Sequence, residues 1–127
     1  MQPIALNPEG VARPGGHYSH AVVARAMVYL AGQLPITATG DKLVDAPFAQ
    51  QVEQVLANVR TLLEASGSGI DRLVHVRVYL DDIANWPEFN ALYAQWAGDA
   101  KPARAIVPTG PLHFGLKVEV EAVAVVG

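Results

Sequence analysis

The 127-residue chain contains no cysteine. That absence excludes disulfides, thiolate metal sites and a cysteine nucleophile, and leaves the redox compartment open. There is also no run of basic residues: nine Lys plus Arg stand against twelve Asp plus Glu, for a net charge of −3. With no basic cluster to displace counterions from a phosphate backbone, nucleic acid is not an expected partner. No apolar run approaches the ~18 residues of a membrane span, and Met1 to Asn7 lacks the basic-then-apolar pattern of a signal peptide. The expectation is a cytoplasmic protein with no membrane partner.

Apolar residues make up 51% of the chain and charged ones 17%, enough to bury a core, and the length suits a single domain over 1–127. A short strand near Ile4 to Leu6 is expected ahead of a Pro- and Gly-bearing loop, Asn7 to Gly16. Ala21-Val22-Val23 and Met27 to Ala31 then read as a hairpin ended by Gly32 and Pro35. Phe48, Val52, Val55, Leu56, Val59, Leu62 and Leu63 recur at spacings of three and four, the stripe of an amphipathic helix. Asp45 is its expected cap, Pro47 falls in its first turn and Gly67 just past its end.

Leu73 to Leu80 alternates as a strand, with Val74, Val76, Val78 and Leu80 on one face. Asn85, with Glu88 three residues on, is expected to cap a second helix carrying Phe89, Leu92, Tyr93 and Trp96 and stopped by Gly98. Two strands follow, Ala103 to Val107 and Lys117 to Val126. The order β-β-β-α-β-α-β-β implies an α+β fold of two layers, a mixed sheet with two helices on one face. Two helices leave the other face bare, yet Val123 and Val125 are apolar there. At ~25 cal/mol per Å2, a wet apolar face is costly, so an obligate oligomer is expected.

Arg104 heads an otherwise apolar strand, and its planar fork suits bidentate pairing with a carboxylate. It either pairs internally, with Glu119 or Glu121, or holds an anionic ligand. Glu119 and Glu121 share one strand face, where each is either a structural partner of Arg104, Arg77 or Lys117 or a proton-transfer group. His17, His20, His75 and His113 show no metal-ligand spacing, and no metal or other cofactor is expected. Ser19, Ser66 and Ser68 lack a nucleophile-elbow context. Gly67-Ser68-Gly69 follows a helix rather than opening one, the wrong geometry for cradling phosphate.

Four segments together resemble the reactive-intermediate deaminase (Rid, YjgF-like) family: Gly16-His17-Tyr18, Leu30 to Pro35, Pro102-Ala103-Arg104-Ala105, and Lys117 to Ala122. Phe89-Asn90-Ala91-Leu92-Tyr93 in the second helix adds to them, so that the resemblance spans nearly the whole chain. It implies a chorismate-mutase-like fold assembled as a homotrimer with clefts between subunits. It further implies cofactor-independent hydrolysis of enamine and imine acids of the 2-aminoacrylate/2-iminopropanoate type to 2-oxo acids and ammonia. By the same resemblance Arg104 binds the substrate carboxylate and Glu119 positions the attacking water. Tyr18, Ala31, Gly32, Asn90, Ala105 and Ile106 would line the cleft. Ala31 and Ile106 depart from the serine and cysteine common in the family's deaminases, which makes the cleft more apolar. The alternative is a non-catalytic trimer that binds a small carboxylate, for which Arg104 would serve equally well. A ribonuclease is disfavoured by the acidic balance.

Overall fold

The computed structural model describes residues 2–127. Its strands are β1 (Ile4–Leu6), β2 (Ala21–Ala24), β3 (Met27–Gln33), β4 (Leu73–Leu80), β5 (Ala103–Pro108) and β6 (Val118–Val125), and its helices α1 (Phe48–Ala65) and α2 (Trp86–Ala97). They form one mixed sheet in the order β1-β2-β3-β6-β4-β5. The β2–β3 hairpin turns through Arg25 and Ala26, both at positive φ. β6 is antiparallel to both β3 and β4, while β5 lies parallel to β4 at the sheet edge. Consequently β3 and β4 also run the same way, and each helix serves as a crossover between like-directed strands. Both crossovers step across the sheet in one direction, and crossovers of one hand then put both helices on one face. The two-layer arrangement follows from connectivity.

The core lies between that face and the helices. Val76, Val78 and Leu80 of β4 and Val118, Val120, Ala122 and Ala124 of β6 meet the α1 stripe and Phe89 of α2, all buried. Val74 does not join them. The β4–β6 register shifts between Leu73 and His75, so the alternation expected from Val74 onward breaks, and Val74 is exposed.

The helix starts also differ from expectation. Asp45 caps nothing: Pro47 is the N-cap residue of α1, with no side-chain cap. Ahead of α2, Asp82 rather than Asn85 caps, accepting from the Ala84 N–H at 2.9 Å, and a 3-10 turn leads into the helix. The end of α1 is as expected. Gly67 takes φ 81, and the Gly67 and Ser68 N–H groups donate back to the Glu64 and Leu63 carbonyls.

Gln51, on the α1 stripe, is fully buried. Its amide donates to the Ala46 carbonyl (3.2 Å), and its oxygen accepts from the Lys117 N–H (3.0 Å), tying the helix start to the entry of β6. Gln51→Leu keeps the volume but strands a part-buried N–H and a part-buried carbonyl. It should cost about 2 kcal/mol in urea unfolding at fixed protein concentration. A change below about 0.5 kcal/mol would show that water replaces the amide.

Candidate active site

The open face of the sheet separates the two glutamates of β6. Glu121 is paired: the Tyr79 hydroxyl donates a short hydrogen bond to its carboxylate, and Arg77 approaches to 3.5 Å. The bond to Glu121 is the main reason that the Tyr79 phenol is held above its ordinary pKa. Glu119, two residues away on the same face, has no hydrogen-bond or ion-pair partner among the described residues. Burial pushes its carboxyl above the usual range, His113 pulls it part of the way back, and Glu121 adds a small upward push.

A break in β3 positions Glu119. Leu30 pairs with Ala122 and Gln33 with Val120, so Ala31 and Gly32 together oppose one residue of β6. At this bulge the Glu119 carboxylate lies directly over Gly32, in space that a Cβ would occupy. Only glycine lets the carboxylate settle there.

Glu119 lines a cavity of about 880 Å3 shared with Tyr18, Ala31, Gly32, His113 and Phe114. Three buried polar side chains hold its walls. Asn58 of α1 donates to the Leu34 and Ile36 carbonyls at 3.2 and 3.0 Å. Gln33, turned inward by the bulge, donates to His20 Nδ1 and to the Ala31 carbonyl, both at 3.1 Å. His20 Nε2 therefore carries the proton and donates to the Ala12 carbonyl at 2.6 Å. Tyr18 stands on this frame, its ring edge-on to His20 and its hydroxyl accepting from the Gly15 N–H. His20 is thus a structural residue. Among the described residues no group of three or more His, Asp or Glu is arranged to hold a metal ion.

The remaining expected residues lie elsewhere in the chain. Arg104 is in register with Val76, so its side chain turns toward the helices. There it donates from Nη2 to Asn90 Oδ1 (3.0 Å) and stacks over Tyr93, 4.8 Å from the ring centroid. Tyr93 is buried, which raises its phenol pKa against the opposing pull of Arg104. Arg104 pairs with neither Glu119 nor Glu121, and its guanidinium meets no carboxylate among the described residues. Ile106 packs on the core from the same side, and Ala105 lies on the open face beside Arg77. Glu119 is in register with Tyr79, three residues further along β4, and one strand, β4, separates β6 from β5, so they lie two strand spacings apart. Strand geometry then sets the two backbones about 14 Å apart, on opposite faces. Within one chain Tyr18, Ala31, Gly32 and Glu119 form one cluster, and Asn90 and Arg104 another.

A family described as Endoribonuclease L-PSP matches residues 10–126. The chain belongs to this family, the YjgF/Rid proteins. It is 40% identical over 116 residues to Protein HMF1 of Saccharomyces cerevisiae, covering 91% of this chain and 89% of that one. It is 35% identical over 112 residues to the 2-iminobutanoate/2-iminopropanoate deaminase of Bos taurus, covering 88% and 82%. The crystal structure of the E. coli YjgF gene product superposes with a TM-score of 0.90 at 29% identity, over 96% of this chain and 98% of that one. The two-layer Rid fold read from the sequence is therefore the fold of the chain. No helix among the described residues is long and apolar enough to cross a membrane.

The cavity frame was hidden in the sequence, although Gln51 and Asn58 carried a signal. With Val55 and Leu62 they complete a ladder of three- and four-residue spacings, so that both amides fall on the buried stripe. A raised Glu119 pKa also has a testable sign. The folded protein holds this proton more tightly than the unfolded chain, whose carboxyl titrates near 4.5, so folding stability declines as pH rises from there through the folded pKa. Glu119→Gln should therefore gain thermal stability over wild type as pH rises from 4 to 7. A gain that shrinks with pH would mean that a cation from another copy sits on the carboxylate.

Proposed function

We propose that the protein hydrolyses reactive 2-imino acids, and their enamine tautomers, to 2-oxo acids and ammonia in clefts between subunits of a homotrimer. The observation that carries this reading is Glu119: a half-buried carboxylate, unpaired among the described residues, set over Gly32 in a cavity, with its pKa raised by burial. A site that only held a small carboxylate would gain nothing from a second negative charge beside it. A carboxylate that burial makes readier to take up a proton is what hydrolysis of an imine requires.

The protonated imine carbon is already electrophilic, so the chemistry needs orientation, a water molecule and a proton path. Arg104 grips the substrate carboxylate bidentately, with Asn90 and Tyr93 holding its guanidinium in place. Glu119 orients the water and takes its proton. The water oxygen bonds to the imine carbon to give a carbinolamine. Glu119 passes its proton to the amino group, the C–N bond breaks, and ammonia leaves as Glu119 takes the hydroxyl proton and the carbonyl forms. Tyr18 and backbone groups at Gly32 and Ala105 frame the substrate.

Arg104 and Glu119 of one chain are too far apart to share a small molecule, so the arginine must come from a neighbouring copy. The open face of the sheet offers the contact, with Tyr29, Val74 and Val125 exposed around the Arg77–Glu121–Tyr79 cluster. Closed cyclic assembly brings β5 of one subunit to the cavity of the next. The bovine relative's name as a deaminase adds support. The net charge of −3 speaks against the ribonuclease in the family's description.

The decisive experiment uses mixed oligomers. Arg104→Ala and Glu119→Gln chains should each lose about a hundredfold in kcat/KM for 2-iminopropanoate generated in situ. Unfolded together in equal amounts and refolded, they should recover about a quarter of wild-type activity, the fraction of interfacial clefts that draw both intact groups. No recovery would place both residues in one subunit's site, and full activity in either single variant would end the proposal. Light scattering should return the trimer mass. Gly32→Ala, which pushes the carboxylate off its seat, should cost about a hundredfold in kcat while leaving the trimer intact.

A further inference from the structure

In a single chain the Glu119 cavity measures about 880 Å3, which leaves room beyond a three-carbon imine even where a neighbouring copy fills part of it. Its lining is apolar over much of its extent, including Val11, Ala31, Leu34, Ile36 and Phe114. Phe114 is the unusual member. Its backbone sits at φ 63, ψ 9, a left-handed conformation that a phenylalanine adopts only when its surroundings impose it. Phe114 is 56% exposed and stands outside the core cluster. Lys42 Nζ lies 4.5 Å from its centroid, and the His113 ring is 6.0 Å away. A strained backbone and a cation thus hold an aromatic surface against the cavity, in the same chain as Glu119.

We propose that Phe114 is the specificity-determining wall of the site, and that it selects a large apolar side chain, aromatic or branched. The preferred substrate is then the 2-imino acid of a bulky apolar amino acid rather than 2-iminopropanoate. This inference rests on the imine-hydrolase reading and adds its substrate class. With the substrate carboxylate on Arg104 of the neighbouring copy and the imine carbon at Glu119, the side chain extends into the cavity toward the ring. Arg13, Lys42 and His113 also border the cavity and raise the competing case of a second carboxylate on the substrate. The ring already engages Lys42, and Glu119 opposes another negative charge nearby.

The test compares imines generated by an amino acid oxidase from alanine, leucine, phenylalanine and glutamate, with wild type and Phe114→Gly. Glycine removes the ring and suits the positive φ, so folding is spared. Wild type should favour the leucine- and phenylalanine-derived imines over the alanine-derived one by about tenfold or more in kcat/KM, the scale on which apolar pockets discriminate added methylenes. Phe114→Gly should lose that preference, the leucine- and phenylalanine-derived imines falling to within about twofold of the alanine-derived one in kcat/KM. Calorimetric titration with phenylpyruvate and pyruvate reads the same wall without catalysis. Tighter phenylpyruvate binding that Phe114→Gly abolishes would uphold the inference even if no imine were hydrolysed, an outcome that would sink the hydrolase reading alone. Equal rates or equal binding in wild type, a preference for the glutamate-derived imine, or a preference untouched by Phe114→Gly would each overturn it.

Discussion

Everything in this fold depends on two crossovers that step the same way across one sheet. β3 to β4 through α1, and β4 to β5 through α2, join like-directed strands, and β6 fills the gap left between β3 and β4. Like-handed crossovers cannot place one helix on each face. The chain therefore builds a dense core on one side and leaves the other open, with exposed Tyr29 and Val125 flanking an internally satisfied polar cluster. The constraint that makes the core also makes an unfinished surface. It also parts the two charged side chains, sending Arg104 toward the helices at the sheet edge and Glu119 to the open face.

The cavity requires a different kind of support, because its walls are loops that contribute little apolar burial. Their backbone carbonyls are held by amides from the framework: Asn58 reaches out from α1, and Gln33 and His20 bridge the bulged strand to the loop before β2. Each of these side chains is buried and hydrogen-bonded, so removing one leaves carbonyls unpartnered rather than merely loosening a loop. The walls are accordingly part of the folded unit. A cavity assembled this way is organised before any ligand arrives, which cuts the ordering cost of binding.

Periodicity and alternation made the framework legible. The α1 stripe, the inward face of β6 and the Gly67 stop appear where the residue spacing puts them, because burial repeats with the period of the element. What the spacing concealed were the places where one residue is added or a cap moves. Val74 fell out of the core because β4 slips its register, and Asn85 yielded its capping role to Asp82 because a 3-10 turn precedes α2. The bulge at Ala31-Gly32 escaped for the same reason, since a strand read by alternation alone has no means of showing two residues opposite one. The Arg104 and Glu119 positions stood out early as charges on apolar strands. Their separation within one chain depends on strand order, which local sequence does not encode.

The contrast between Glu119 and Glu121 shows how one strand face supports two roles. Both side chains leave β6 on the same side, two residues apart, and by sequence they are interchangeable. Glu121 meets Tyr79 and Arg77 across the β4 ladder, so its charge is spent within the sheet. Glu119 meets Tyr79's backbone on one side and, on the other, a bulge whose glycine offers no side chain at all. A structural ion pair lowers the cost of charge, whereas a bare glycine seat leaves that cost standing, and the raised pKa of Glu119 is its expression. A carboxylate kept only for stability would be better placed where Glu121 is. Glu119 instead occupies the costly position, over a cavity and beside a backbone cleared to receive it, where no stabilising pair offsets its charge.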